Sequence, residues 1–489
     1  MECTPPRMIP DPPPPLAYAA PGVPDGRAAS MRRDITAAYL AAGTRIGSWA
    51  VMSAFVYRVG GPGQFAVLAL VRGTIGILNY TAVGLTPALI RMLAEAKSAT
   101  ASDAHAAATV SPEQGPVRLD YAASEPRSFD PRTIYASGVL AARLSIAAGL
   151  VLTLIYAVSF NKIHLVPRQL MRDAPNVVLW IGLGILLRLY SDVAGALLQT
   201  RKHIALDNLL LASGELFRLL AMAAFFVTLH VSPLMAAAIA YVAAGAFVVV
   251  TRRYAVHRLE DGPRDWQAGA ARAAAVRRLL AFGSLVLLAE MADYLYSPTD
   301  FILIAHFLGP ADVATYAPAV QLDSGLLILV TALASVLLPK AALAHAGGAS
   351  GDVRRYYVRG TLASTAILAL AAAGVWAASP ALFRVWFGPH APATRAILPL
   401  VLIHTVLGGS GAVGRSVLLA MGKVKPYTAA VLIAGATNVV ASYCFVKYAG
   451  WGLRGIIYGT ILAVVGRCVI WMPWYVLRTL GRVGHAAAR

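Results

Sequence analysis

Seven arginines fall inside long apolar stretches of this 489-residue chain: Arg45, Arg72, Arg143, Arg188, Arg218, Arg415 and Arg467. A guanidinium held at mid-bilayer costs roughly 2.5–3.5 kcal/mol on insertion scales. Such a set persists only where the side chains face a wet cavity, meet a partner or reach water at a span end. Arg45, Arg72 and Arg415 have no acid nearby in sequence, whereas Arg188 precedes Asp192 by one helical turn and Glu215 precedes Arg218. Local ion pairs are expected at those last two places. Arg143 and Arg467 lie nearer span ends, where snorkelling competes with function. The guanidinium is planar, always charged and able to grip phosphate oxygens in pairs. Arg45, Arg72, Arg188, Arg218 and Arg415 are therefore candidate binding residues for an anionic cargo. A lipid-linked sugar pyrophosphate suits such a site, with its head in the cavity and its tail in the bilayer.

Intramembrane carboxylates form the second group. Glu290, Asp293 and Asp300 share one helical face, with Pro298 placed to kink the helix between them, and Asp323 follows in the next apolar stretch. They are candidates for H+ or Na+ coupling, or for counter-charges to the arginines. Nothing in the chain calls for a metal or organic cofactor. Cys3, Cys444 and Cys468 have no metal-ligand spacing. The Gly409-Ser410-Gly411-Ala412-Val413-Gly414 match to a nucleotide-binding glycine pattern follows no strand and sits within an apolar span, where close helix packing is the better reading.

The elements that must hold these groups are membrane helices. The chain is 58% hydrophobic, 13% charged, with mean hydropathy +0.65, against about 25% charged residues in soluble domains. Twelve stretches are long enough to span a bilayer. The net charge of +19 would suit nucleic acid, but its placement does not. With both termini inside, the inner segments hold 27 of the 42 Lys and Arg and the outer loops 8, which is the positive-inside asymmetry. No nucleic-acid partner is expected, and anionic lipid headgroups are secondary contacts.

The chain also echoes itself. Gly61-Pro62 and Gly309-Pro310 each open a long apolar span, and Leu197-Leu198-Gln199-Thr200-Arg201-Lys202 resembles Leu418-Leu419-Ala420-Met421-Gly422-Lys423. The expected fold is an all-α integral membrane protein, about twelve transmembrane helices in two pseudo-symmetric six-helix bundles around a central cavity. Residues 1–33 read as a disordered cytoplasmic tail, 34–251 as the N-terminal bundle with a polar loop at 97–131, 252–278 as a basic cytoplasmic linker, 279–478 as the C-terminal bundle and 479–489 as a second tail. The outer loops are too short to fold as a catalytic domain.

The run Asp300-Phe301-Ile302-Leu303-Ile304-Ala305-His306-Phe307-Leu308-Gly309-Pro310, followed by Tyr316, resembles the end of the seventh helix in polysaccharide (O-antigen type) flippases of the multidrug/oligosaccharidyl-lipid/polysaccharide (MOP) exporter superfamily. Gly422-Lys423, Asn438 and Gly452-Leu453-Arg454-Gly455 resemble that family's eleventh-helix region. The similarity extends over about 36–478, with Ala66 and Ala314 standing where a glycine is expected after each Gly-Pro turn. The resemblance implies that undecaprenyl-pyrophosphate-linked oligosaccharides are moved across a bacterial inner membrane by alternating access, without ATP hydrolysis. Polysaccharide polymerase and other assembly proteins are candidate partners. A drug or metabolite antiporter of the same superfamily and a membrane polysaccharide polymerase are the alternative readings.

Overall fold

The computed structural model describes residues 25–75, 129–201, 203–259, 272–281, 296–346, 350–388, 393–421 and 423–487, with 85–93 in part. Every element with defined bounds is helical. The N-terminal half holds α1 (Asp25–Ile75), α2 (Pro131–Ile163), α3 (Ala174–Thr200), α4 (Ile204–Leu229) and α5 (Pro233–Leu259). The C-terminal half holds α6 (Tyr296–Phe307), α7 (Pro310–Ala346), α8 (Ser350–Phe387), α9 (Thr394–Ala420), α10 (Val424–Lys447), α11 (Gly452–Val464) and α12 (Met472–Ala487), the last two joined by a π-helical stretch at Val465–Trp471.

Among the described residues, ten helices are long and apolar enough to cross a membrane. Twelve remains the consistent total, because α1 contains two spans and nearly half of the expected span at 279–307 lies outside the described residues. The outward faces are apolar, with Leu220, Leu370, Val440 and Ile470 exposed. This is the reverse of a soluble bundle and suits helices whose backbone groups must be satisfied internally.

Three boundaries differ from expectation, one of them at α12, which continues to Ala487 through the expected second tail. Helix α1 starts at Asp25, inside the segment read as tail, because Arg27, Ala28, Ala29 and Met31 are good helix formers directly after the proline-rich run. Helix α5 continues to Leu259, into the expected linker. The linker's later part is helical at 273–281, with Ala275, Val276 and Leu279 buried against the N-terminal half and the Arg272 backbone N–H donated to Ser137 Oγ. The polar loop at 97–131 lies almost wholly outside the described residues.

Both sequence echoes have a structural cause. Gly61 has φ 82° and Gly309 φ 102°, values that favour glycine, and each is followed by a proline that cannot donate a backbone hydrogen bond. The same joint thus separates the first two spans of each half. The second echo is the turn after α3 and after α9. Arg201 N–H bonds Leu197 O and His203 N–H bonds Leu198 O, while Met421 N–H bonds Val417 O and Lys423 N–H bonds Leu418 O. The structural register pairs Leu198 with Leu418, one residue away from the pairing that the sequence echo suggests.

The apolar contacts define the conformation. One large cluster joins the halves: Trp49, Tyr57, Phe65 and Phe160 pack with Phe301, Phe383, Trp386 and Phe387. Two further clusters stay apart, one built from the N-terminal half and the adjoining linker, the other from the C-terminal half. The joined end is that of the expected outer loops. There the Trp386 indole N–H donates to Ala50 O and Ser53 Oγ, and Arg58 donates to Trp386 O and Val385 O, carbonyls of the last turn of α8. Leu165 N–H bonds Ala305 O, and the His306 ring contacts Ile163 O. The halves are therefore closed against one another at one end and separately packed at the other. Truncating the seal in Trp386→Ala removes an interlocked ring and two hydrogen bonds, a loss of about 3–5 kcal/mol from the closed arrangement. A cysteine placed at Ser53 in that background is expected to react with an impermeant thiol reagent added from the sealed side. Unchanged protection would show that the remaining aromatics suffice.

Candidate functional site

A cavity of about 840 Å³ lies between the halves, lined by α1, α3, α4 and α5 on one side and by α6, α7, α9, α11 and the π-helical stretch on the other. Its N-terminal wall carries Arg45, Arg72, Arg188 and Arg218 around a single acid, Glu215. Close helix packing shapes this wall. A Cβ on Gly184 of α3 would meet the Tyr241 backbone at 2.4 Å, and one on Gly245 of α5 would meet Gly184 O at 2.6 Å. Small residues let these helices approach, as membrane interfaces require, and so bring Arg188, Arg218 and Tyr241 to one surface.

Glu215 is 4% exposed and uses both carboxylate oxygens: Arg188 Nη1 donates to Oε1 at 2.7 Å and Arg218 Nη2 to Oε2 at 2.6 Å. Arg218 also donates to Ser48 Oγ at 2.8 Å and lies over the Tyr241 ring. Arg72 stacks on Trp49, its Cζ 3.8 Å from the ring centroid, and donates Nη1 to Gln321 Oε1 across the cavity at 3.2 Å. Arg45 is exposed in the cavity wall.

The expected local pairing of Arg188 with Asp192 is not what forms. Asp192 instead accepts from Arg252 Nη1 at 2.6 Å, and Arg252 Nε donates to Asp207 at 2.8 Å. Arg252, read from the sequence as the start of a basic linker, is 2% exposed inside the N-terminal half. The pairing by sequence distance failed because helices α3, α4 and α5 pack together and offer each arginine a better-buried acid across a helix interface. The Glu215–Arg218 pair forms as expected. Arg252→Ala would leave Asp207, fully buried, beside a vacated site. A loss of about 3–5 kcal/mol is expected, read as a lower melting temperature of the purified protein.

Arg415 is not among the residues lining the cavity. Helix α9 presents Val401, His404, Thr405, Gly408 and Gly409 to it, and Arg415 lies about two turns beyond, roughly 10 Å along the axis. Arg467 takes a place in the wall instead, on the π-helical stretch. A π-helical insertion shifts the facing of the residues after it. A 3.6-residue count from the sequence could not have predicted that placement.

The C-terminal wall holds the acids. Asp300 is 1% exposed, and its partners are neutral donors from three helices: Tyr316 Oη at 2.8 Å, Asn438 Nδ2 at 3.0 Å and Thr460 Oγ1 at 2.8 Å. Among the described residues no arginine is recorded in a salt bridge with it. Asp323 is buried with His404 Nδ1 at 3.8 Å. Glu290 and Asp293 lie outside the described residues. Tyr316, Asn438 and Thr460 were not singled out as site residues on chemical grounds, although Tyr316 and Asn438 belonged to the resemblance. Their uncharged side chains carry no signal until folding gathers them on one carboxylate.

This fold, with a charged cavity enclosed between two helical halves, is that of a multi-pass membrane protein. The chain belongs to the family described as polysaccharide biosynthesis protein, which it matches over residues 144–390, just over half its length. No curated protein sequence matches it. Among solved structures it is similar to the inward-facing conformation of a multidrug resistance MATE family transporter of the MOP superfamily, at 12% identity and a TM-score of 0.71, covering 92% of this chain and 99% of that one. Similarity to the outward-facing conformation of a multidrug resistance MATE family transporter of the MOP superfamily is lower by TM-score, 0.61 at 15% identity, covering 94% and 96%. A MATE in the straight conformation matches at 13% identity with a TM-score of 0.64, covering 94% and 96%. The fold class read from the sequence is thus borne out, and the family match agrees with the resemblance to a polysaccharide-assembly family.

Proposed function

We propose that the protein is a flippase that carries polyprenyl-pyrophosphate-linked oligosaccharides across the bacterial inner membrane for polysaccharide assembly. The carrying observation is the N-terminal cavity wall, in which, among the described residues, four arginines surround one glutamate, three positive charges in excess on that wall. A pyrophosphate offers several oxygens to guanidinium forks, and the isoprenoid tail stays in lipid while the sugars occupy the cavity. The family match supports a sugar-bearing cargo. The lysine- and arginine-rich end, where the halves pack separately, is read as cytoplasmic with both termini, and the sealed end as outward. Loading from the inner leaflet then precedes breaking of the Trp386 seal.

Asp300, ringed by neutral donors, is the proposed coupling site for H+ or Na+. It sits on the wall opposite the arginine cluster, so ion and cargo bind different halves.

The test is reconstitution in liposomes with a fluorescent polyprenyl-pyrophosphate disaccharide, scoring access of a membrane-impermeant quencher. Protein-dependent translocation supports the reading. Efflux of cationic drugs without movement of the pyrophosphate lipid would replace it with the drug-antiporter alternative.

A further inference from the structure

Arg188 and Arg218 share Glu215 but are held very differently. The Arg218 side chain is 6% exposed, tied to Glu215 and Ser48 and covered by the Tyr241 ring. The Arg188 side chain is 33% exposed, touches Glu215 through Nη1 and lines the cavity. Departure of Arg188 from Glu215 would not strand a buried charge, because Arg218 still neutralises the carboxylate at 2.6 Å. Departure of Arg218 would break the buried cluster, which is costly.

Building on the cargo reading above, we propose that Glu215 is an internal competitor for the cargo's pyrophosphate and that Arg188 is the group exchanged between them. Each oxygen of Glu215 takes one N–H from a separate guanidinium, the same role that a phosphate oxygen would take. Cargo entering between Arg45, Arg72 and Arg188 draws Arg188 off the carboxylate, and Glu215 reclaims it on release. The cavity therefore never presents all its positive charge without an anion to accept it. Affinity is moderated so that a highly charged ligand can leave, which a purely cationic wall would oppose. Glu215 is a positioning residue whose effect on binding has the opposite sign from that of a scaffold.

The experiment is calorimetric titration of inorganic pyrophosphate into purified full-length protein in lipid nanodiscs. Glu215→Gln is expected to bind about tenfold tighter than wild type, the worth of one charge-assisted hydrogen bond no longer competed for, while translocation in liposomes slows. The gain should vanish in the Arg188→Gln background, since the two residues act on one exchange. Weaker or unchanged binding by Glu215→Gln would overturn the proposal, leaving Glu215 as scaffold. Should that variant not fold, Glu215→Asp keeps the charge beside Arg218 and shortens the reach to Arg188. Tighter binding is again expected, and equal or weaker binding again overturns the exchange. If wild type, Glu215→Gln and Glu215→Asp all fail to bind pyrophosphate, the cargo reading itself falls and takes this proposal with it.

Discussion

Arg72→Ala is expected to abolish surface polysaccharide while the protein still inserts in the membrane at its normal level. Arg72 is held by the face of Trp49 and the amide oxygen of Gln321, groups that orient its guanidinium. The loss of one guanidinium–phosphate contact is worth about 1.5–3 kcal/mol, or roughly 10–100-fold in affinity. The variant also removes a side-chain hydrogen bond recorded between the two halves at the cavity, so cargo binding and bundle movement suffer together. Arg72→Lys separates these effects. It keeps the charge and loses the fork, so a partial polysaccharide phenotype is expected. Immunoblotting of membranes alongside staining of surface polymer makes the measurement. Normal polymer in Arg72→Ala would remove this arginine from the mechanism.

Asp300→Asn is expected to uncouple transport from its driving ion. The carboxylate accepts from Tyr316, Asn438 and Thr460 at once, and a buried acid surrounded by neutral donors either holds a proton or attracts a cation. An asparagine has one acceptor oxygen and a donor amide, which would face at least one of the existing donors and cost about 1–3 kcal/mol locally. In liposomes, gradient-driven accumulation should fall at least about tenfold, while downhill exchange of cargo persists because the arginine wall is untouched. Repeating the assay with a proton gradient and then a sodium gradient identifies the ion for the wild type. Equal response of Asp300→Asn and wild type to both gradients would leave Asp300 a structural residue.

Much of the architecture was legible because membrane insertion imposes a strong pattern. Span length, the basic inner loops and the repeated Gly-Pro joints all express constraints that act locally on the chain. The cavity was legible for a related reason: Arg45, Arg72, Arg188 and Arg218 are too costly in lipid to be incidental, and all four line it. What could not be read was pairing. Arg188 was matched to Asp192 because they are neighbours on one helix, yet helix packing gave Arg188 to Glu215 and Asp192 to Arg252. Position along an axis was also hidden, since Arg415 lies beyond the cavity while Arg467 reaches it from a π-helical stretch that breaks the regular count. The three donors to Asp300 come from α7, α10 and α11, and only tertiary structure assembles them.

The cavity's two walls differ in kind: four guanidiniums on the N-terminal half, and on the other a sequestered carboxylate with hydroxyl and amide donors and the single guanidinium of Arg467. Under the proposed function, what is carried and what drives it would then be written on separate halves of one gene. A lineage could alter the sugars it exports by changing α1, α3 and α4 without disturbing its energy source, or exchange one driving ion for another without relearning its cargo. The Gln321–Arg72 contact is where those two histories would have to remain compatible.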